Sequence, residues 1–386
     1  MRRLSPPPYM PYRINRPYQV CSRCVMDTSV VDIEFDEQGV CDYCRAASER
    51  LAREMYVGDE ARLDRVVAQI KRDGRGKPYD SIIGVSGGVD SSFTAYVVKR
   101  MLGLRPLAVH FDNGWNSELA VENIDRLLRK LEIELYTHVV DWEEFRDLQL
   151  AFLKASVANS EIPTDHAIVA LLYRVAARHG VRYIIHGGNL ASESIMPDRW
   201  MHDAKDLRFL KAIHREFGTK PIKTFPTLSM ARLAYHILVR RIRYLPILNY
   251  VKYDKEEAAE LLERELGWRK YGGKHFESIY TRFFQGYLLP QKFGMDKRRA
   301  HFSSLIVSGQ MTRDHALDEL EVEPYPARQA SEDIEYVSQK FGLTARDFEA
   351  IMDLPVRRSE DYPNNTSTLA QIDPLLQRVK KIATAR

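Results

Sequence analysis

Residues 81–92 of this 386-residue chain read Ser-Ile-Ile-Gly-Val-Ser-Gly-Gly-Val-Asp-Ser-Ser. An apolar run that turns through Gly87 and Gly88 into Phe93-Thr94-Ala95-Tyr96-Val97-Val98 reads as a strand passing into a helix. Such a turn gathers backbone N–H groups at the helix's positive end, where they hold phosphate oxygens without a basic side chain. The hydroxyls of Ser86, Ser91 and Ser92 add donors, and Asp90 suits a Mg²⁺ that bridges phosphates. Phosphate chemistry is therefore the first expectation.

Two other readings meet the same residues. Gly84-x-Ser86-x-Gly88 spells a nucleophilic serine elbow, for which Asp112 and His186 would be the acid and base. It leaves Asp90, Ser91 and the second glycine without a task. A tight strand-to-helix turn with no ligand is the blandest option. A Walker loop is excluded, since Gly74-Arg75-Gly76-Lys77 runs into Pro78 with the wrong spacing.

The four cysteines form the second constellation: Cys21 and Cys24, sixteen intervening residues, then Cys41 and Cys44. Paired C-x2-C units at this separation match a four-thiolate Zn²⁺ site, closed and therefore structural. Residues 30–40 suggest two short strands around a turn at 36–39, a zinc-ribbon-like knuckle. Disulfides would need an oxidising compartment, and residues 1–20 are basic and proline-rich rather than an apolar signal segment. The expectation is reduced thiols and a cytoplasmic location.

Composition is that of a soluble globular protein, 45% hydrophobic and 28% charged, without an apolar run long enough to span a membrane. The net charge of +4 is too small to argue for nucleic acid. The charge is uneven, however. Eight Lys or Arg residues lie between 269 and 299 against Glu277 and Asp296, interleaved with aromatic residues. This stretch suits an anionic ligand or forms a solvated basic face.

These constellations need elements to position them. Helical spacing covers 46–73, with Leu63, Val66, Val67 and Ile70 on one side. Strands over 80–85, 105–111, 133–139 and 181–186 alternate with helices over 91–102, 116–130, 141–158 and 165–179. The fold class is α/β, a parallel sheet with helices on both faces and ligands beyond the strands' carboxyl ends. Asp112 and Asn113 end the second strand; Gly187, Gly188 and Asn189 end the fourth, with Glu193 positioned to share a Mg²⁺ with Asp90. Residues 244–248 suggest a fifth strand, at an edge because Pro246 cannot donate to a ladder. Beyond residue 200 the chain turns helical, with helices over 255–266, 312–320, 331–341 and 344–354 and a last one capped at 363–367. Residues 271–286 and 292–299 mix charge and aromatic groups too densely for a plain core helix. The expected organisation is a basic extension (1–20), a zinc knuckle (21–50), a nucleotide-binding domain (51–250) and a mainly helical substrate or partner region (251–386).

The order of types at Ser86-Gly87-Gly88-Val89-Asp90-Ser91 resembles the SGGxDS loop of the PP-loop ATP pyrophosphatases, whose fold is adenine nucleotide alpha hydrolase-like. More widely, the chain resembles the N-acetyl sugar amidotransferases of bacterial surface polysaccharide biosynthesis, the WbpG-like group. The resemblance rests on Cys21-Ser22-Arg23-Cys24-Val25-Met26-Asp27-Thr28-Ser29, Cys41-Asp42-Tyr43-Cys44 and the 86–91 loop. It continues through Gly187-Gly188-Asn189, Gly273-Lys274-His275-Phe276-Glu277-Ser278 and Phe293-Gly294-Met295-Asp296-Lys297-Arg298-Arg299. It implies ATP, Mg²⁺ and Zn²⁺ as cofactors and conversion of a sugar acetamido group to an acetamidino group in LPS O-antigen synthesis. The substrate would be a nucleotide-linked sugar, a UDP-diacetamido uronic acid. Ammonia would come from a glutaminase–cyclase pair similar to the imidazole glycerol phosphate synthase subunits. Asp112 and Asn113 would then lie beside the adenosine.

That chemistry can be set against the residues. An amide oxygen is a poor leaving group, and adenylation makes it one, which explains a loop that retains pyrophosphate. Lys274, His275, Glu277 and Lys297 are the catalytic candidates; His275 or Glu277 would take a proton from the added ammonia. Arg282, Lys292 and Arg298 are candidates for the anionic substrate. The rival within the fold is tRNA thiolation, which in its persulfide and iron–sulfur forms needs cysteine beyond the zinc set; none exists here. A binding module without catalysis would not need both the loop and Glu193. No membrane or nucleic-acid partner is expected, and a homo-oligomer is compatible with the sequence.

Overall fold

The computed structural model describes residues 16–272 and 276–366. Ser81–Gly84 (β1), Pro106–Asp112 (β2), Leu135–Val139 (β3), Tyr183–His186 (β4) and Arg243–Pro246 (β5) form one parallel sheet in the order β3-β2-β1-β4-β5. β5 is an edge strand ending in Pro246, as expected. The chain first moves outward from β1 through β2 to β3, then returns so that β4 pairs with β1's other side. That reversal opens a crevice beyond the carboxyl ends of β1 and β4, the point where open α/β sheets bind ligands.

β1 is buried on both faces, so its central Ile82 and Ile83 are both apolar instead of alternating. Ile82 joins a core with Phe145, Phe152 and Leu171, while Ile83 joins another with Ile124, Leu127 and Leu262. Ile184 and Ile185 of β4 divide in the same way, in register with Ile82 and Ile83. The helices over both faces keep the expected order with shifted ends. Asp141 and Thr344 cap Trp142–Ala155 and Ala345–Asp353 through their side chains, so these polar residues stand just outside the helices they start. The single helical stretch expected over 46–73 is two helices, Asp42–Glu54 and Glu60–Asp73, broken where Gly58 takes φ +90°.

The aromatic stretch after residue 276 corrects an expectation. Ile279–Phe283 is helical and continues as the wider turns of Phe284–Phe293, burying Tyr280, Phe283, Phe284, Leu288 and Leu289. This segment is core after all, and its buried side chains join one cluster with Ile82, Phe145 and Leu171. Lys297–Val307, also unforeseen, follows it. The knuckle's expected strands reduce to single bridges, Val20 with Asp27 and Phe35 with Cys41. Its turn is as expected: Gly39 takes φ +77° and donates to the Asp36 carbonyl at 2.9 Å. Residues 1–15 of the basic extension and the last helix after 366 lie outside the described residues. No helix among the described residues is long and apolar enough to cross a membrane.

Candidate functional site

The loop from β1 into the Val89–Tyr96 helix is held open from both sides. Gly87 takes φ +84°, and a Cβ there would meet the Ala120 carbonyl at 2.8 Å. Its own carbonyl accepts from Trp268 Nε1 and Tyr271 Oη, both at 2.9 Å. Ser86 Oγ lies 3.1 Å from Ser91 Oγ and accepts from Gly88 N at 3.4 Å. On the other side, a Cβ on Gly187 would meet the Asp90 carbonyl carbon and oxygen at 2.9 Å. The β1 and β4 loops therefore touch backbone to backbone, which explains the glycines at both strand ends.

The candidates for nucleotide divide into two groups. Ser86, Gly87, Gly88, Asp90 and Ser91 gather at the crevice, with Gly187 and Gly188 against them. Asp90 hydrogen-bonds the Tyr253 hydroxyl, whose pKa is raised by burial, then by Asp90 and, further off, by Glu193. Glu193 Oε2 lies 3.6 Å from where a Cβ on Gly188 would stand. Two carboxylates beside a phosphate loop are hard oxygen donors that fit Mg²⁺. Ser92, by contrast, is fully buried, and its Oγ has no hydrogen-bond partner and no solvent contact. It faces the core, away from the loop's open side. Asn189 caps the Leu190–Glu193 turn through Ser192 N at 2.9 Å, and its amide donates to the Gly187 carbonyl at 3.3 Å. Asn113 accepts from Trp115 N at 3.2 Å and donates to Thr164 Oγ1 at 3.2 Å. Asp112 accepts from Gly114 N and Asn116 Nδ2 at 3.0 and 3.2 Å. Asn189 and Asn113 shape the loops, which sequence alone does not distinguish from touching a ligand.

The serine-hydrolase reading finds no geometry. His186 Nδ1 accepts from Gly188 N at 3.1 Å and its ring stacks on Tyr244 with centroids 4.2 Å apart. Among the described residues, no imidazole reaches Ser86 Oγ. Burial lowers the His186 pKa to about 4, so the ring is neutral.

Much of the basic run of 269–299 is engaged in ion pairs and hydrogen bonds with the protein itself. Arg269 pairs with Glu122 and Lys270 with Glu256, while Arg282 makes a two-pronged pair with Asp333 at 2.7 Å. Lys292, a substrate candidate, is buried and donates to the carbonyls of Ile351, Met352 and Leu354, closing a helix end. Arg299 is buried against Asp27 at 3.0 Å. An open cationic face over this whole run is therefore corrected: Lys292 and Arg299 are buried and Arg282 is neutralised by Asp333, while Arg269 and Lys270 stay exposed in ion pairs. Arg298 pairs with Asp296 and donates to the Glu319 and Val322 carbonyls, yet it lines the crevice cleft together with Gly88, Asp90 and Glu277. That cleft measures about 660 Å³. Glu277 is the catalytic candidate the structure brings to the loop: its Oε1 lies 3.4 Å from where a Cβ on Gly88 would stand. Lys274 and His275 lie outside the described residues.

Sequence reasoning missed a neighbouring cluster. The Ile162–Arg178 helix runs toward the start of β4, so its first turn lies at the sheet's carboxyl end, tied to β2 by the Asn113–Thr164 bond. Asp165 in that turn is pushed up to about 7 by burial, then by Glu161, while Lys297 opposes the shift. Lys297 Nζ stands 5.4 Å from the Phe284 ring centre, and Glu161 accepts from Thr281 Oγ1 at 2.5 Å. Only the tertiary fold brings 161, 165, 281 and 297 together, so no local pattern could have shown it.

The four cysteine sulfurs are buried and lie within 4.8 Å of one another, with 3.9 Å from Cys21 to Cys44 and 3.7 Å from Cys24 to Cys41. A tetrahedral ion with Zn–S bonds of about 2.3 Å places its sulfurs about 3.8 Å apart, so the donor set fits Zn²⁺. Backbone N–H groups of Arg23, Cys24 and Cys41 point at Cys21 Sγ and favour its thiolate. The knuckle docks on the C-terminal helices: Arg313 donates to the Cys21 and Cys24 carbonyls, and Ser303 Oγ accepts from Val25 N.

Residues 277–377 match the family described as "LPS biosynthesis protein WbpG-like, C-terminal domain". The resemblance read from the motifs is thereby borne out over this part of the chain. A glutamine-hydrolysing GMP synthase of Pyrobaculum aerophilum is 28% identical over 184 residues, 47% of this chain and 34% of that protein. The chain thus spans about a third of that relative's length. A protein of Methanocaldococcus jannaschii described as uncharacterized is 22% identical over 323 residues, 79% of this chain and 94% of its own. Among solved structures, an NMN synthetase from Francisella tularensis aligns over 81% of this chain and 98% of its own, at 14% identity and a TM-score of 0.31.

Proposed function

We propose that the protein is an ATP-dependent, AMP-forming amidotransferase that turns an acetamido group of a nucleotide-linked sugar into an acetamidino group. The observation that carries this reading is the position of Glu277. It opens the WbpG-like segment and stands against the 86–91 phosphate loop, so the family-specific part of the chain meets the nucleotide site there.

The loop's backbone N–H groups, with Ser86 and Ser91, hold the β- and γ-phosphates at the positive end of the Val89–Tyr96 helix. Bound Mg²⁺, held by Asp90 and Glu193, would neutralise phosphate charge. The acetamide oxygen attacks the α-phosphorus, and pyrophosphate leaves with the electrons of the broken P–O bond. Ammonia then adds its lone pair to the activated carbon. Glu277 takes the proton that the new C–N bond makes acidic, and the C–O bond breaks toward AMP. The Cys21–Cys44 cluster serves stability through a closed metal site.

Nitrogen enters in this reading as ammonia from a separate glutaminase. All four cysteines within these 386 residues belong to the buried cluster, leaving no thiol nucleophile for glutamine and none for a persulfide on tRNA. The test is mass spectrometry of a UDP-diacetamido uronic acid incubated with the protein, ATP, Mg²⁺ and ammonium. Exchange of O for NH lowers the sugar's mass by about one unit, as nitrogen replaces the adenylated oxygen. An unchanged sugar alongside modified tRNA would favour the rival reading. Glutamine should not replace ammonium when the chain is alone.

A further inference from the structure

A second cleft, of about 560 Å³, shares no lining residue with the one at the phosphate loop. It lies where the knuckle, the first turn of Ile162–Arg178 and residues 356–361 meet, and Trp200 and Phe293 form apolar wall. Asn159 lines it although only 5% exposed. Its Oδ1 accepts from Glu161 N at 3.2 Å, and its Nδ2 donates to no acceptor among the described residues. That nitrogen is not sealed from solvent, so its donors are open to a ligand in the cleft. Three arginines stand at the rim: Arg199, 3.4 Å from Asp32; Arg357, paired with Glu216; and Arg358, with no carboxylate at ion-pair distance among the described residues. Glu360 and Asp361 face the same opening, Asp361 accepting from Arg358 N.

We infer that this cleft binds a nucleoside diphosphate, the carrier end of the sugar substrate. Flat apolar wall suits a base, and the Asn159 donor suits a base carbonyl. The planar guanidinium groups suit a diphosphate, and two carboxylates suit ribose hydroxyls. The cleft also points the right way. Ile162 lines it, Asp165 follows one turn on with Lys297 and Tyr244 as charged and aromatic neighbours, and Tyr244 stacks on His186. His186 accepts from Gly188 N, and Gly187 rests on Asp90. A ligand anchored by its nucleotide in this cleft extends its glycosyl end along that wall toward the phosphate loop. The glycosyl end rests on the proposed function; the nucleotide site does not.

The test is calorimetric titration of the full chain with UDP, with and without saturating ATP. UDP should bind one site, and ATP should not displace it. The double variant Arg199→Glu, Arg358→Glu changes exposed side chains and should bind UDP at least about tenfold more weakly. Gly187→Ala, which disturbs the ATP loop, should bind UDP as the unaltered chain does. No UDP binding, displacement by ATP, or an unchanged affinity in the arginine variant would each overturn the assignment. If UDP behaves as expected while no acetamidino sugar forms, the cleft stands and the proposed reaction falls. The opposite pair of results sinks the cleft alone.

Discussion

Gly187 shows how narrow the tolerances at the proposed nucleotide site are. Its φ is ordinary, so alanine is allowed locally, but the added Cβ would stand 2.9 Å from the Asp90 backbone. Gly187→Ala should therefore keep the fold, push the two loops apart and lower ATP-dependent turnover by about tenfold or more, read from initial rates. Asp165 makes a different prediction. Its carboxyl is raised by burial and by Glu161, so it binds its proton more tightly in the folded chain than in the unfolded one. The stability this provides is complete below the unfolded carboxyl pKa and is lost as pH rises through about 7. Asp165→Asn should then raise the melting temperature at about pH 8 and leave it little changed at about pH 4. An equal change at both values would mean that the carboxyl titrates normally.

Between elements, the knuckle and the Lys297–Val307 helix depend on each other. Arg299 and Asp27 are both buried, and Arg299 also donates to the Val25 carbonyl. Arg299→Met strands the Asp27 charge and should cost about 3–5 kcal/mol in denaturant unfolding. Chelation of the bound metal should unfold the knuckle, and elemental analysis should find one zinc per chain. Much at this scale was legible in the sequence. The paired C-x2-C units, the apolar run of β1, the Gly-Gly turn and Pro246 at an edge each carry a local physical constraint. What escaped depends on partners distant in sequence. Lys292 reads as a ligand-facing cation and Arg299 as part of a basic run, because nothing near them shows that the Ile351 carbonyl and Asp27 wait across the fold. Residues 271–286 read as too dense in charge and aromatic groups for a plain core helix, yet Arg282 is neutralised by Asp333 and Tyr280, Phe283 and Phe284 turn inward.

Over the whole molecule, every functional proposal depends on one sheet reversal. Because β4 returns beside β1, the 86–91 loop, Gly187 and Glu277 meet at one crevice, while the second cleft opens beyond the start of Ile162–Arg178. In the proposed reading, the loop takes the phosphates that are cleaved and the cleft takes the carrier that is kept. A glutaminase partner should consequently be dispensable: ammonium alone should sustain turnover, and adding the partner should confer use of glutamine without changing the sugar product. The central claim is that the acetamide oxygen is adenylated at the 86–91 loop. Its most direct test is turnover of a substrate labelled with ¹⁸O in the reacting acetamide, followed by mass spectrometry of the nucleotide. The account predicts one ¹⁸O in AMP, with pyrophosphate unlabelled. Release of ADP, or label found only in water or inorganic phosphate, would contradict it.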